Sequence, residues 1–305
     1  MPRQILNWIK AVRAPFFTAA VIPIILGSVA AWHDTSRFLW WRFWLTLIGG
    51  VLMHAGTNLA NDYFDHLSGC DEANSTPTPF GAGSRVIQEK LIPPNHILYG
   101  SLVSFVLGSA IGLYLNNICG GNIILILGIT GLLLGFFYTV KQARIVYGGL
   151  GEIAVGIGFG PLMVMGSYYV QAQTLPLKAF LISIPVGILI ALVLFINEFP
   201  DYDADRSVGK RTLVVILGKK KAVVLYYILL ALAYAITFAL IGLGYMPVWG
   251  LLVLLSLPLA LKAISTAKKN FDKIYELIPA NAATIGLHSL MGILIIAGFM
   301  LDKIL

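Results

Sequence analysis

The chain has 305 residues, of which 58% are hydrophobic and only 11% are charged, and its mean hydropathy is +0.85. This composition excludes a soluble globular domain, in which about a quarter of the residues are charged. Apolar runs of about 20 residues without strict alternation indicate membrane-spanning helices and not a β-barrel. The net charge of +7 mostly reflects an uneven distribution of basic residues between loops, so it does not indicate a nucleic-acid partner.

Nine predicted membrane-spanning helices follow one another along the chain. Their bounds are 14–32, 40–60, 97–115, 122–140, 150–170, 178–198, 222–243, 247–264 and 282–301. The connections between them are short, apart from polar loops at 61–96 and 199–221 and a basic loop at 265–281. The sequence therefore predicts an all-α integral membrane protein with nine helices around a central cavity, as a single domain over residues 1–305.

The basic residues predict the orientation in the membrane. With nine spans, the N-terminal segment and the loops after even-numbered spans share one side, which carries seventeen of the 21 lysines and arginines. Cytoplasmic loops are enriched in these residues, so this side is predicted to be cytoplasmic, in an inner or cytoplasmic membrane. Both acidic clusters described next lie on it.

The first polar cluster follows the second predicted span. Asn58, Asn61, Asp62 and Asp65 share one helix face with His54, and Asp71 lies just beyond. Charged groups at the end of a membrane helix are costly and mark functional sites. Carboxylate and amide oxygens are ligands suited to Mg²⁺. We interpret His54, deeper in the span, as a hydrogen-bonded packing residue.

A second cluster follows the sixth span and repeats this chemistry. Asn197, Asp201 and Asp205 are spaced i, i+4, i+8, again directly after a long apolar run. The two clusters lie four spans apart, which predicts two pseudo-repeated four-helix units of the same orientation plus one helix.

Basic residues accompany both acidic clusters, and this combination indicates a metal–diphosphate site. Arg and Lys bind phosphate oxygens directly, while Mg²⁺ bridges phosphates to carboxylates. Arg85 follows the glycine-rich turn 80–84, and Lys210 and Arg211 follow the second cluster. A diphosphate site at the mouth of an apolar bundle predicts an isoprenyl diphosphate as ligand, in contact with membrane lipid. Tyr138, at the end of the fourth span, suits stabilisation of a cation by its aromatic face.

The motifs resemble those of the UbiA superfamily of intramembrane prenyltransferases over nearly the whole chain. The specific segments are Asn58-x-x-Asn61-Asp62-Tyr-Phe-Asp65-x-x-x-Gly69-x-Asp71 and Asn197-x-x-x-Asp201-Tyr-x-x-Asp205-x-x-x-Gly209-Lys210-Arg211-Thr212-Leu213. Their spacing is most similar to dihydroxynaphthoate polyprenyltransferases of menaquinone synthesis. The resemblance implies Mg²⁺-assisted loss of diphosphate, attack of an electron-rich aromatic acceptor on the allylic cation, and loss of the acceptor's carboxylate.

Together these arguments assign three groups of site residues. The predicted metal ligands are Asn61, Asp62, Asp65, Asp71, Asp201 and Asp205. The predicted substrate-binding residues are Asn58, Arg85, Lys141, Asn197, Lys210 and Arg211. The predicted catalytic residues are Asp62, Asp65, Asp201, Asp205 and Tyr138.

Three features depart from the family pattern and leave the acceptor open. The first span begins with Arg13-Ala-Pro15 and not Arg-Pro, Glu198 follows Asn197, and residues 138–144 contain little Pro or Gly. The alternatives within the class transfer to hydroxybenzoate, a haem or chlorophyll precursor, or a glycerol phosphate lipid. The alternative of another class is a divalent-cation or proton-coupled transporter.

Overall fold

The computed structural model describes residues 3–81, 83–138 and 145–305, and its helices follow the apolar segments. They are α1 (Arg3–Ala11), α2 (Thr18–Thr35), α3 (Trp40–Ser68), α4 (Cys70–Ala73), α5 (Pro94–Cys119), α6 (Ile123–Phe137), α7 (Gly151–Ile157), α8 (Met163–Ala172), α9 (Leu177–Ser207), α10 (Leu213–Leu217), α11 (Lys219–Gly242), α12 (Leu257–Asn270) and α13 (Ile278–Ile304). Short 3₁₀ segments (Ala14–Phe17, Val146–Gly148 and Val248–Ser256) and a π-helical turn (Gly158–Leu162) connect some of them.

The structure confirms an all-α integral membrane protein. Eight helical segments of the described residues are long and apolar enough to cross a membrane, among them Ala14–Thr35 and the composite segments Gly151–Ala172 and Val248–Asn270. The predicted fourth span corresponds to α6, which is shorter at 15 residues and is followed by residues outside the described part of the chain. The count of nine spanning helices therefore stays a prediction.

Helices α3 and α9 are longer than the sequence predicted. They have 29 and 31 residues and continue to Ser68 and Ser207, so the predicted loop starts at 61 and 199 are wrong. Both helices continue through their polar and acidic residues. The i, i+4 spacing of these residues keeps them on one helix face, where basic side chains from other segments neutralise them. The acidic clusters are thus held on rigid helix ends and not in loops.

Two glycine turns fold the chain back onto these helix ends. Gly69 has φ 75° and ends α3, and Gly209 has φ 74° just after α9. This left-handed conformation is accessible to glycine at little cost. After the first turn α4 begins at once; after the second, the N–H of Lys210 donates to the carbonyl of Asp205 at 2.8 Å. Both turns return a polar side chain to the acidic cluster that precedes it.

The buried apolar side chains divide the bundle into two parts. The main core gathers residues of α2, α8, α9, α11, α12 and α13. On the other side, α3, α5, α6 and the segment Gly151–Ala172 surround a cavity. At the end remote from the acidic clusters, Asp34 accepts hydrogen bonds from Lys178 (2.6 Å) and Tyr168 (2.9 Å), and Asp302 contacts His33 (2.9 Å). These contacts tie α2, α8, α9 and α13 together.

Candidate active site

A cavity of about 600 Å³ runs from the acidic helix ends into the bundle. Its deep part has apolar and glycine walls, including Gly49, Met53, Leu115 and Leu132. Its mouth is polar and is lined by Arg13, Asn58, Asn61, Asp65, Asp71, Asn74, Asn197, Glu198, Asp201, Asp205 and Lys210. The two acidic clusters, more than 130 residues apart in the chain, therefore share one chamber.

Lys210 joins the two clusters directly. Its Nζ lies 3.3 Å from Asp65 Oδ2 on α3 and 3.6 Å from Asp205 Oδ1 on α9, and its side chain is only 12% exposed. Burial acts to lower the pKa of Lys210, but the carboxylates of Asp205 and Asp65 outweigh it and hold the pKa well above its ordinary value. A cation is thus held permanently between the two helix ends.

Asp62 is neutralised by a residue that the sequence arguments did not select. Arg13, which precedes the first span, forms an ion pair with Asp62, and the Ser84 hydroxyl donates to the same carboxylate. Arg13 also lines the cavity, and its buried Nε has no hydrogen-bond partner among the described residues. The sequence feature that could have indicated Arg13 is its position next to a membrane span, because a basic side chain there can reach polar groups at the membrane interface.

The loop after α4 closes over the remaining carboxylates. Asn74 Nδ2 donates to Asp201 Oδ1 at 2.8 Å. A Cβ added at Gly81 would lie 2.8 Å from Asp201 Oδ1, and one at Gly83 would lie 3.0 Å from Asp71 Oδ2. The glycines therefore let backbone approach the acids more closely than any side chain would permit.

Asp71 is returned to the site by α4 and is nearly fully buried. Burial raises its pKa to about 8, with a further contribution from the neighbouring charges of Asp65 and Asp62. The preceding Cys70 donates from Sγ to Asp205 Oδ1 at 3.3 Å, and burial raises the pKa of its thiol, so it stays protonated. The sequence arguments assigned no role to Cys70.

The donors at the mouth of the cavity fit Mg²⁺. They are carboxylate and amide oxygens, and the buried Oδ1 of Asp65 has no hydrogen-bond partner in the described chain. Within residues 3–81, 83–138 and 145–305, no group of three His, Cys, Asp or Glu side chains is arranged to hold a metal by itself. A bound Mg²⁺ would therefore take further ligands from phosphate oxygens or water, as this ion commonly does.

The predicted amides are partly used inside the protein. Asn58 donates to the carbonyl of Val12 at 2.9 Å, and Asn61 donates to Asp65 Oδ2 at 3.0 Å. Asn197 accepts from Asn281 of α13 at 2.7 Å. Each of these bonds fixes the orientation of the amide while leaving its other polar atom for a ligand.

Two of the predicted substrate-binding residues, Arg85 and Arg211, are not brought to the cavity. Arg85 donates from Nη1 to the carbonyl of Asp71 at 2.5 Å and does not line the chamber. Arg211 is exposed to solvent, because the Gly209 turn directs its neighbour Lys210 inward. Lys141 lies outside the residues that the structure describes. Asp62, predicted as a metal ligand and catalytic residue, does not line the cavity; it is buried and ion-paired with Arg13.

Tyr138 and Glu198 form one side of the mouth. Tyr138 is buried at the end of α6 and lines the cavity. Glu198 is also buried, and both its carboxylate oxygens lack a hydrogen-bond partner among the described residues. Glu152 accepts from the backbone N–H of Leu213 at 3.2 Å, which fixes the start of α10 against α7.

The structure gives Arg13 a larger role than Arg85. We expect Arg13→Gln to lower turnover by about 30-fold, since a buried charged hydrogen bond contributes about 2 kcal/mol. Arg85→Gln is the matched control, and its effect is expected to be several-fold smaller because, among the described residues, the guanidinium of Arg85 donates to the backbone of Asp71 and to no carboxylate. Steady-state assays of both variants in detergent measure this. Equal losses would mean that Arg85 reaches the ligand when it binds.

A helical membrane protein with a basic–acidic site at the mouth of an apolar chamber is equipped to bind an amphiphilic phosphate ester. The model of the UbiA prenyltransferase family matches residues 20–290, and the chain belongs to this family. It is an integral membrane prenyltransferase, that is, a transferase of alkyl groups other than methyl.

Curated relatives and solved structures are similar over nearly the whole chain. The 1,4-dihydroxy-2-naphthoate octaprenyltransferase of Escherichia coli is 32% identical, over 97% of this chain and 96% of its own. The enzyme of the same name from Mycobacterium tuberculosis is 31% identical, over 96% of each chain. The structure of a UbiA homolog from Archaeoglobus fulgidus bound to GPP and Mg²⁺ has a TM-score of 0.66, with 13% identity, and covers 98% of this chain and 100% of its own.

Proposed function

We propose that this chain transfers a polyprenyl group from an isoprenyl diphosphate to 1,4-dihydroxy-2-naphthoate, in a Mg²⁺-dependent step of menaquinone biosynthesis. Relatives about 30% identical over nearly their full length carry that activity in their names. A structural neighbour of the same fold binds a prenyl diphosphate with Mg²⁺.

One observation carries the proposal. The carboxylates of Asp65, Asp71, Asp201 and Asp205 meet the cations of Lys210 and Arg13 at the mouth of an apolar chamber of about 600 Å³. Charge of both signs suits a metal-bridged diphosphate, and the apolar walls suit an isoprenoid tail. Neither feature alone specifies the ligand, but together they match its two ends.

The residues of the chain have distinct tasks in this scheme. Asp65, Asp71, Asp201 and Asp205, with Asn61, would hold Mg²⁺, which neutralises the diphosphate as it leaves. Lys210 and Arg13 bind diphosphate oxygens and stabilise the negative charge that develops when the allylic C–O bond breaks. The electron-rich ring carbon of the acceptor then bonds to the allylic carbon and releases carbon dioxide. The face of Tyr138 stabilises the positive charge on the allylic group.

We place this site at the cytoplasmic face of the membrane. Seventeen of the 21 basic residues lie on the same predicted side as the acidic clusters. Diphosphate and the acceptor's carboxylate are charged, so a site that opens to water on that side receives both without passing either through the bilayer.

The test is direct. Membranes or purified protein are incubated with labelled geranylgeranyl diphosphate and a panel of aromatic acceptors, with Mg²⁺ or with excess chelator. We expect a prenylated naphthoquinol product only with 1,4-dihydroxy-2-naphthoate and only with metal, because diphosphate and aspartate oxygens repel each other unless a cation bridges them. Full turnover in excess chelator would contradict the metal role, and transfer to another acceptor would reassign the substrate.

The transporter alternative predicts a different pattern. An ion pathway would need the acids but not a fixed cation at Lys210, and it would not consume prenyl diphosphate. In the structure Lys210 already neutralises Asp65 and Asp205, whereas a conduction path would keep such acids available to ions. The charge arrangement therefore favours the enzyme.

A further inference from the structure

His54 is a buried polar side chain in the cavity wall that the diphosphate site does not use. It is 5% exposed and lies on α3, one turn before Asn58. Its ring packs edge-on against Phe17 and Phe159, with centroids 5.4 and 4.6 Å away. The expected hydrogen bond of a packing histidine is absent: no bond of the ring is found among the described residues, and Nδ1 is buried without a partner.

Three other polar side chains that line the cavity donate hydrogen bonds within their own helices. Thr46 donates to the carbonyl of Arg42 at 2.8 Å, and Ser167 donates to that of Val164 at 3.1 Å. Thr57 donates to Met53 at 3.0 Å. A neutral imidazole has one donor and one acceptor, and buried polar groups in proteins normally have partners. His54 differs from these three side chains because its ring has no hydrogen-bond partner among the described residues, which leaves its hydrogen-bonding capacity for something that enters the cavity.

The depth of His54 indicates which part of the ligands it meets. On a helix with a rise of 1.5 Å per residue, it lies about 10 Å below Asn61 and about 16 Å below Asp65. This level is below the phosphate-binding groups, in the part of the chamber whose walls are mostly apolar. Phe159 comes from the π-helical turn Gly158–Leu162, and such turns occur often at functional sites.

We propose that His54 hydrogen-bonds a hydroxyl group of the aromatic acceptor and so positions the ring beside the allylic carbon. The proposal rests on the proposed function and names a residue that selects its second substrate. A hydroxyl both donates and accepts, so it can pair with either tautomer of a neutral imidazole. An isoprenoid tail offers neither, so it gains nothing from this side chain. Phe159 lines the cavity beside His54 and offers an aromatic surface to a bound ring.

The experiment compares His54→Leu, which removes the hydrogen bond, with His54→Gln, which retains a donor and an acceptor. KM is measured separately for 1,4-dihydroxy-2-naphthoate and for geranylgeranyl diphosphate. Binding of 1,4-dihydroxy-2-naphthoate alone is measured by equilibrium dialysis in detergent without Mg²⁺. For His54→Leu we expect the acceptor KM and Kd to rise about tenfold or more, as for one lost buried hydrogen bond, with the diphosphate KM unchanged. His54→Gln should recover much of this.

His288→Leu is the matched control. His288 is also a buried histidine of a spanning helix, on α13, but it does not line the cavity. We expect it to leave the acceptor KM and Kd unchanged, even if it lowers the melting temperature. If His54→Leu or His54→Gln likewise lowered only the melting temperature, His54 would be a packing residue and the inference would be overturned.

Two further outcomes separate this inference from the proposed function. If the wild-type protein prenylates the naphthoate but His54→Leu changes only the diphosphate KM, His54 contacts the tail, and the inference fails alone. If the wild-type protein neither binds nor prenylates the naphthoate, the proposed function fails, and the acceptor role of His54 fails with it.

Discussion

Replacing Lys210 by methionine is expected to reduce prenyl transfer by about 10²–10³-fold, the loss seen when one preorganised charged or hydrogen-bonding group is removed from a transition-state site. Lys210 is the only described side chain that ion-pairs with both Asp65 and Asp205. Without it, the leaving diphosphate loses a cation that is already in place. The measurement is single-turnover transfer of labelled prenyl diphosphate at saturating Mg²⁺.

The same substitution is expected to destabilise the metal-free protein. Removing one partner of a buried ion pair leaves uncompensated charge and costs about 3–5 kcal/mol. Added Mg²⁺ supplies positive charge to the same carboxylates, so it should raise the melting temperature of Lys210→Met more than that of the wild type. Arg206→Met, an exposed basic residue at the end of α9, is the control and should change neither quantity much. Near-wild-type transfer by Lys210→Met would show that the diphosphate lies elsewhere.

The second large effect concerns cooperation between the two acidic helix ends. Asp65→Asn and Asp201→Asn are each expected to lower turnover by about 10²-fold or more, because each removes negative charge from the proposed metal site. The double variant should be scarcely worse than the worse single one. If both carboxylates act on one metal-bridged diphosphate, loss of either already disables the unit, and such residues are strongly non-additive.

Asparagine is the sharpest substitution here because it keeps the size and much of the hydrogen bonding. In Asp201→Asn the new amide oxygen can still accept the hydrogen bond from Asn74. In Asp65→Asn the new amide can still face Asn61. Thermal unfolding in detergent checks that all four proteins fold. Turnover is then compared at several Mg²⁺ concentrations. Losses that simply multiply would indicate independent cation sites, as along a conduction path, and would contradict the shared-diphosphate arrangement.

The class of protein and the existence of the site follow from the sequence because both depend on the cost of polar groups in lipid. Long apolar runs must become helices that satisfy their own backbone hydrogen bonds. Carboxylates at the ends of such runs are expensive and so indicate function. The same argument located Asp65, Asp71, Asp201 and Asp205, which line the chamber. It also selected Lys210, which follows Asp205 closely in the chain.

The pairing of charges is where sequence reasoning was incomplete. Arg85 was chosen because it follows a glycine turn near the acids, yet Arg13, 49 residues before Asp62, makes the ion pair. Cys70 and Asn74 were passed over, although both donate to carboxylates of α9. Spacing along the chain does not reveal which segments pack together. The sequence therefore could not indicate which residues of distant segments pair with each carboxylate.

The sequence by itself determined the membrane class, the family and the two oxygen-rich clusters, because hydrophobic length and helical periodicity are local properties. Only the tertiary structure decided that α3 and α9 continue through their clusters, that Arg13 joins Lys210 as a cation of the site, and that the His54 ring has no hydrogen-bond partner among the described residues. These outcomes depend on the turns at Gly69 and Gly209 and on the packing of distant helices. Burial and pairing are set by distances in space, which separation along the chain does not encode.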